Sequence, residues 1–320
     1  MKLFCVVTAA ILALTGSPGF AQSSYPDRPI KLIIPFVPGG VVDVVGRTLA
    51  SRLEAQMGQP VVVENRAGAA NQVGTTVVTN AAPDGYTLLV VDPSVVTTPT
   101  LQANAPYQLG QLRTIATLST APLIVVVNPS LPVNNLKELI EFSKKTPEGV
   151  TYASAGVGTT PHLAPELLKV QSGFNATHIP YKGGAASLTD LVSGRVQTAF
   201  YSGATVLPNI IEGKLRAIAQ TGTHRMAARP DIPTGVESGY PDFVVQLWTA
   251  LFTPSGVPAD VQKRLEKEVR QAVESKEFLS VIEKFGLESF YKSQPDAERF
   301  VQSESDRWSA LIKAAKITIQ

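Results

Sequence analysis

Cysteine is almost absent from this chain of 320 residues, whose single cysteine, Cys5, lies in the N-terminal apolar run. Disulfide bonds, thiolate metal sites and thiol chemistry are therefore excluded for everything after that run. Charge is scarce as well: only 17% of the residues are charged, and 28 basic against 26 acidic residues give a formal net charge of +2. Such a balance builds no basic surface for a phosphate backbone, so nucleic acid is not expected as a partner.

Motifs of catalysis and of metal binding are also missing. The three histidines stand far apart in the sequence, and only His162 has an acidic residue one helical turn further on, Glu166. One such pair is weak support for a metal site. No P-loop occurs, Tyr152 replaces the first glycine of a nucleophile elbow around Ser154, and Gly156-Val157-Gly158 lacks the third glycine of a dinucleotide fingerprint. The sequence therefore predicts no enzyme, no metal and no cofactor.

The longest apolar run is typical of an export signal. Lys2 precedes the run over residues 3–14, and Gly19-Phe20-Ala21 places small residues at the third and first positions before a cut after Ala21. The run is shorter than the about 20 residues that a membrane span needs. We therefore expect a signal peptide over residues 1–21, cleaved near Ala21, and a soluble protein outside the cytoplasm.

After that run, short apolar segments alternate with amphipathic ones. Strands are expected at residues 30–36, 61–63 and 87–91 with helices between them, and the alternation restarts at residue 123. Such alternation is typical of parallel sheets covered by helices. Residues 123–127 and 244–252 are placed to carry the chain from one unit to the other and back. We therefore predict an α/β fold of two lobes with a cleft between them, residues 22–122 plus 248–320 and residues 123–247.

A strand, a glycine-rich turn and a helix start recur over residues 36–43, 155–162 and 181–186. Glycine lets a backbone approach a ligand closely, and a helix start offers unpaired N–H groups at the positive end of the helix dipole. Both features favour an anion such as a carboxylate. Ligands of open α/β sheets bind beyond the carboxyl ends of the strands, so we expect the three turns to converge across the cleft. The alternative is that each turn only connects two elements.

Several side chains of these turns allow two interpretations. Asp43 suits either the N-cap of the following helix or a ligand contact. Thr159 suits either a hydroxyl contact with a carboxylate or a helix cap, and His162 is either a structural histidine or a ligand contact. Lys182 either pairs with an anion or points into water. Trp248 is expected to pack in the core or at the hinge.

Several long segments match one protein family in the same order. They are residues 25–30, 35–43, 58–68, 83–88, 156–163, 180–185, 190–191 and 231–234. Through them the chain resembles the substrate-binding proteins of tripartite tricarboxylate transporters, the Bug-type receptors. The resemblance implies a periplasmic receptor with a Venus-flytrap fold, type II-like. It also implies a monomer that closes on a small organic acid without a cofactor and docks on the membrane permease subunits.

In that family one ligand carboxylate is held by the Pro-Gly-Gly turn of the first lobe and the Gly-x-Gly-Thr turn of the second, partly through ordered water. The Lys-Gly-Gly-Ala turn at residues 182–185 would line the same cleft. These are the turns that the dipole argument selects. The expected ligand-binding residues are Phe36, Pro38, Gly39, Gly40, Asp43, Ala155, Gly156, Gly158, Thr159, His162, Lys182, Gly183, Gly184, Ala185 and Tyr201.

Two positions depart from the family pattern. Val42 stands where a small polar residue is usual, and Tyr201-Ser202-Gly203 stand where many members carry an aspartate. Both changes make one side of the pocket less polar and leave Tyr201 for aromatic contact. We therefore expect a ligand with an apolar or aromatic body, or a dicarboxylic acid, with at least one carboxylate.

Two other functions stay open at this point. A receptor that reports to a signalling kinase would show the same sequence features, and uptake after gene deletion separates it from a transport receptor. An exported α/β hydrolase or lyase would need titratable groups that converge in the fold. Turnover of a bound acid by the pure protein would reveal such an enzyme.

Overall fold

The computed structural model describes residues 25–69, 71–102 and 104–318, so the predicted signal peptide and its cut near Ala21 lie outside the described residues. The strands of the described part are β1 (Ile30–Ile34), β2 (Val61–Asn65), β3 (Thr87–Val91), β4 (Leu112–Val127), β5 (Val150–Ser154), β6 (Ala176–Pro180), β7 (Thr198–Ser202), β8 (Arg216–Gln220), β9 (Gln246–Pro254) and β10 (Glu288–Lys292). The helices there are α1 (Val41–Met57), α2 (Gln72–Thr79), α3 (Ser94–Leu101), α4 (Leu136–Lys145), α5 (Thr160–Ser172), α6 (Gly184–Ser193), α7 (Gly203–Ile211), α8 (Ala259–Val273), α9 (Lys276–Lys284) and α10 (Gln294–Ala314). None of these described helices is both long and apolar enough to cross a bilayer.

The first lobe is built on β1, which lies between β2 and β3 and runs parallel to both. Leu32, Ile33 and Ile34 are fully buried, as expected of a parallel strand covered on both faces. Helix α1 packs Val45 and Leu49 into the same core, again with no exposed surface. The antiparallel strands β9, β4 and β10 complete this part of the sheet.

The second lobe repeats the design around β5. Strands β6 and β7 pair with β5 in parallel, and β4 joins β7 and β8 in antiparallel orientation. Its core is formed by residues such as Ile124, Leu191 and Val206, each fully buried. The three parallel strands of each lobe determine where the candidate site lies.

Strand β4 joins the lobes. It pairs with β9 from Leu112 to Pro122 and with β7 from Leu123 to Val127, and Gln246 at the start of β9 lies opposite Pro122. The lobe boundaries expected after residues 122 and 247 stay a prediction, which this change of partner strands supports. The sequence analysis missed the first part of β4 because buried hydroxyl residues interrupt its apolar pattern. One of them, Ser119, pairs its Oγ with Thr249 Oγ1 at 2.7 Å.

Most expected elements are present, and β3 has the predicted bounds. Helices α3 and α7 were not predicted, because both are rich in β-branched residues and contain a proline, Pro99 and Pro208. Trp248 packs in the core as predicted: it has no exposed surface, and its Nε1 donates to Glu304 Oε2 at 3.1 Å.

Candidate ligand-binding cleft

Each lobe has three parallel strands that end at one edge and lead into helices. Strands β1, β2 and β3 lead into α1, α2 and α3, and β5, β6 and β7 lead into α5, α6 and α7. Because parallel strands end at the same edge of a sheet, the N-termini of three helices gather at one edge of each lobe. The two edges meet where Thr97 Oγ1 in α3 donates to the carbonyl oxygen of Gly158 at 3.0 Å. The cleft between the lobes therefore runs between two sets of helix N-termini.

The first-lobe turn connects β1 to α1. Pro38, Gly39 and Gly40 are exposed, and Gly39 has a φ of 89°, a conformation that glycine adopts without strain. A Cβ atom at Gly39 would meet no atom within 4 Å, so the turn borders open space. The N–H groups of Val41 and Val42, the first two residues of α1, donate to no acceptor among the described residues. They remain available to an anion.

Asp43 is buried beneath this turn and stabilises it through hydrogen bonds. The prediction that it is the N-cap is wrong, because Gly40 holds that position and Asp43 is the third residue of the helix, only 3% exposed. Its carboxylate accepts from Gly39 N at 2.9 Å, Asn65 Nδ2 at 2.8 Å and Arg47 Nε at 3.0 Å. Burial alone would raise the pKa of Asp43, but these donors outweigh burial and lower it.

Asn65 is a supporting residue that the sequence analysis did not select. Besides Asp43, its Nδ2 donates to the carbonyl oxygen of Phe36 at 3.0 Å. Phe36 itself is partly buried and packs against both large hydrophobic cores. The position of Asn65, as the last residue of β2, is the one signal that could have identified it, since that end of the strand faces the ligand crevice.

The first turn of the second lobe connects β5 to α5. Gly156 and Gly158 have positive φ values of 126° and 81°, and Ala155 is partly exposed beside them. Thr159 is the N-cap residue, yet its hydroxyl makes no cap bond and donates instead to the carbonyl oxygen of Gly156 at 2.7 Å. Within the described residues, the N–H of Thr160, the first residue of α5, has no acceptor. This turn therefore adds a free backbone donor from the second lobe to the cleft.

His162 fixes that turn. The N–H of Gly158 donates to His162 Nδ1 at 3.0 Å, so the neutral ring carries its proton on Nε2. The ring stacks on His178 at 4.0 Å between ring centroids, although the two histidines lie far apart in the sequence. Burial, helped by the neighbouring His178, lowers the pKa of His162 to about 3. His162 thus stays neutral and holds the loop as an acceptor.

Ser154 and His178 form a pair that resembles a nucleophile and its base, with 2.6 Å between Oγ and Nε2. Ser154 has no exposed surface, however, and its Oγ also accepts from the N–H of Gly156 at 3.0 Å. Burial lowers the pKa of His178 to about 4. A fully buried hydroxyl cannot reach a substrate, so this pair supports the glycine turn and performs no chemistry.

Glu166, the possible metal partner of His162, is engaged elsewhere. Its Oε1 accepts from Tyr152 OH and from Lys169 Nζ, each at 2.6 Å. In the part of the chain that the structure describes, no three His, Cys, Asp or Glu residues are grouped so that they could hold a metal ion.

The third turn connects β6 to α6. Lys182 and Ala185 are exposed, and Gly183 has a φ of 99°. The N–H of Gly183 donates to the carbonyl oxygen of Ala155 at 3.3 Å, which ties this turn to the preceding one. The N–H groups of Gly184 and Ala185, the first residues of α6, donate to no acceptor among the described residues.

Tyr201 lies beneath that turn. It is only 2% exposed, and its hydroxyl oxygen is 2.8 Å from Ser187 Oγ in α6. Burial raises its pKa to about 12. A Cβ atom at Gly184 would lie 3.3 Å from Tyr201 Cε1, so the ring packs directly under the start of α6. This geometry favours a supporting role, and the expected aromatic contact with a ligand stays a prediction.

Comparisons with known proteins agree with this architecture. Residues 45–317 match the family described as "Tripartite tricarboxylate transporter family receptor". Protein BugT of Bordetella pertussis (strain Tohama I) is 35% identical over 318 residues, which cover 98% of this chain and 97% of BugT. Among solved structures, the periplasmic binding protein BugD has 33% identity and a TM-score of 0.80, with coverage of 92% of this chain and 100% of BugD. The structure of R. palustris Rpa4515 with adipate has 29% identity and a TM-score of 0.82, with coverage of 92% and 99%.

These similarities confirm the two-lobed α/β fold of periplasmic binding proteins. They also confirm the prediction of a binding protein in place of an enzyme, because the family consists of receptors. A periplasmic family implies export, whereas the cut near Ala21 stays a prediction. The chain belongs to the tripartite tricarboxylate transporter receptor family, whose members are periplasmic solute-binding proteins.

Proposed function

We propose that this protein captures a small carboxylate between its lobes and delivers it, as a monomer, to the permease subunits of a tripartite tricarboxylate transporter. The observation that carries the proposal is the set of unpaired backbone N–H groups at the starts of α1, α5 and α6. Two of these helices belong to the second lobe and one to the first. A carboxylate between them is stabilised by hydrogen bonds and by the positive ends of three helix dipoles.

The division between contact and support follows from burial. The proposed contact residues are those at the exposed or partly exposed turns, Phe36, Pro38, Gly39, Gly40, Ala155, Gly156, Thr159, Lys182, Gly183, Gly184 and Ala185. Asp43, Gly158, His162 and Tyr201 are buried and act on the ligand by holding those turns in place. Lys182 forms no ion pair with a carboxylate of the described residues, so its charge is free to attract the anion.

Binding and closure follow from the same geometry. One carboxylate that accepts hydrogen bonds from both lobes is bound more tightly when the lobes are together than when they are apart. A ligand shifts a conformational balance only by this difference in affinity. The relative Rpa4515, solved with adipate, supports a carboxylate as the ligand class, because it has the same fold over almost the whole chain.

The test is isothermal titration of residues 22–320, refolded without carried-over ligand, against mono-, di- and tricarboxylates with aliphatic and aromatic bodies. At 100 times its Kd a ligand adds about 2.7 kcal/mol to the free energy of unfolding, which a thermal shift also detects. Binding confined to acids supports the proposal, and absence of binding by every acid contradicts it. Uptake of the acid in cells with and without the gene tests delivery, and light scattering tests the monomer.

A charge variant makes this test specific for the helix starts. Ala185→Asp places a carboxylate beside the free N–H groups of α6, where it competes with the ligand and stabilises the helix by about 0.3 to 1 kcal/mol. We expect acid affinity to fall at least tenfold without loss of stability. The matched control is Ala259→Asp, since Ala259 is exposed at the start of α8, away from the three turns. Equal affinities of the two variants would contradict the assigned site.

A further inference from the structure

Asp92 is an acidic residue at the edge of the cleft that none of the predicted turns contains. It directly follows β3, and β3 pairs with β1 in the register Ile33 opposite Leu89. Continued by three residues, this register places Asp92 level with Phe36, at the beginning of the first-lobe turn. Asp92 also precedes α3, the helix whose Thr97 touches the second lobe. It therefore lies where the two lobes approach each other.

The carboxylate of Asp92 is only partly satisfied. Ser94 donates to Oδ1 both from its backbone N–H, at 2.9 Å, and from its hydroxyl. Oδ2 receives no hydrogen bond from any other residue that the structure describes, and no cation of the described residues forms an ion pair with Asp92. The side chain is partly exposed, yet burial by its surroundings raises its pKa.

Two buried polar groups of the first lobe direct hydrogen bonds to partners other than Asp92. Tyr107 OH donates to Asn71 Oδ1 at 3.0 Å, and Asn71 Nδ2 donates to Thr98 Oγ1 at 3.3 Å. Tyr107 and Asn71 are each 1% exposed, so these bonds are internal to the first lobe. A ligand in the cleft can supply the donor that Asp92 Oδ2 lacks among the hydrogen bonds of the described residues.

We propose that Asp92 selects carboxylic acids that also carry a hydroxyl or amino donor beside the acid group. The inference rests on the proposed function, because it assigns the ligand's carboxylate to the helix starts and its donor to Asp92 Oδ2. Above its raised pKa, the ionised carboxylate of Asp92 repels a plain acid at close range. A ligand that brings an O–H or N–H group converts this repulsion into a hydrogen bond with a charged acceptor, which is among the strong ones in proteins.

The experiment compares acids that differ only in the donor. Succinate, malate and aspartate share one body, and phenylacetate, mandelate and phenylglycine share another. For the wild-type protein we expect the hydroxy or amino member of the body that fits to bind at least tenfold more tightly than its parent acid. Equal affinities within both sets overturn the inference while leaving the proposed function intact. If none of the acids binds, the proposed function fails and the inference fails with it.

Variants then assign the selectivity to Asp92. In Asp92→Ala we expect the donor acid and its parent to bind within about twofold of each other, with the parent bound more tightly than by the wild type. Asp92→Asn keeps an oxygen for Ser94, so it removes the charge without removing the start of α3, and it is expected to lose most of the selectivity as well. The control Asp306→Asn changes an exposed aspartate of α10 and is expected to keep the wild-type ratio. If a folded Asp92→Asn variant keeps the wild-type ratio of affinities for the donor acid and its parent acid, the inference is overturned.

Discussion

Thr97 and Gly158 join the two lobes through a hydrogen bond of 3.0 Å from the Thr97 hydroxyl to the Gly158 carbonyl oxygen. Thr97 is only 1% exposed. The N–H of the same glycine donates to His162, so one residue links helix α3, the turn between β5 and α5, and the histidine stack. A change in the position of that turn is therefore transmitted to the contact between the lobes.

Removing the Thr97 hydroxyl is expected to weaken the contact between the two lobes, and with it the closure of the lobes around a ligand. Thr97→Val keeps the shape of the side chain but leaves the Gly158 carbonyl without its donor when the lobes are together. A neutral hydrogen bond contributes about 0.5 to 1.5 kcal/mol, so ligand affinity should fall about two- to tenfold. Titration of the bound acid measures this loss. Thr100→Val is the control, because Thr100 pairs with Ser309 inside the first lobe, and an equal loss in both variants would refute the interpretation.

A methyl group at Gly158 is expected to disrupt the same contact. Its Cβ would lie 2.2 Å from Leu101 Cδ1 in α3, and the residue has a φ of +81°. Gly213 has a similar φ of +69°, and a Cβ atom added there would meet no atom within 4 Å. Gly213→Ala therefore measures only the cost of placing alanine in a positive-φ conformation, about 1 kcal/mol. We expect Gly158→Ala to lower the unfolding free energy by at least about 1 kcal/mol more, as for other overpacked sites. Denaturant titration compares the variants, and equal losses would show that the steric contact is unimportant.

Acid is expected to destabilise the protein through the histidine stack. The pKa values of His162 and His178, lowered to about 3 and about 4, lie below that of an unfolded histidine. The unfolded chain therefore binds more protons between roughly pH 4 and 6.5, and stability is lost as the pH falls through this window. At pH 5 a single such histidine accounts for about 2 kcal/mol.

His162→Gln tests this assignment. Glutamine keeps an acceptor for the N–H of Gly158 but does not titrate, so the variant should lose about 2 kcal/mol less than the wild type between pH 7 and pH 5. His224→Gln is the control, since His224 is 65% exposed. Denaturant unfolding at both pH values gives the comparison. If the wild type and His162→Gln lose the same unfolding free energy between pH 7 and pH 5, the histidine stack does not cause the acid destabilisation.

Neutralising Asp43 is expected to loosen the first-lobe turn. Asp43→Asn removes the charge that Arg47 and the N–H of Gly39 stabilise, and hydrogen bonds to a charged group contribute about 1.5 to 3 kcal/mol. We expect a stability loss of this order and weaker acid binding. Asp84→Asn, which breaks an exposed pair with Arg28, should change stability by less than about 1 kcal/mol. Similar losses from both substitutions, measured by thermal unfolding, would contradict the bracing role of Asp43.

The glycine-rich turns could be identified before the fold, but the roles of their side chains could not. Gly39, Gly156 and Gly183 adopt positive φ values, as glycines beside strand ends often do. Asp43 and His162 were selected as residues of interest, yet their buried partners decide that they brace the turns. Asn65, although it lies in the matched segment 58–68, and Asp92 were not selected, because the roles assigned to them depend on lying at the end of a strand in a parallel sheet.

The sequence by itself determined the alternation of strands and helices, the glycine turns at the starts of α1, α5 and α6, and the family. These are local properties, set by hydrophobic periodicity and by the backbone freedom of glycine. Only the tertiary structure decided that β4 crosses both lobes, that His162 stacks on His178, and that Thr97 reaches Gly158. Such contacts join residues far apart in the chain, and they depend on strand order and register, which local sequence patterns do not specify.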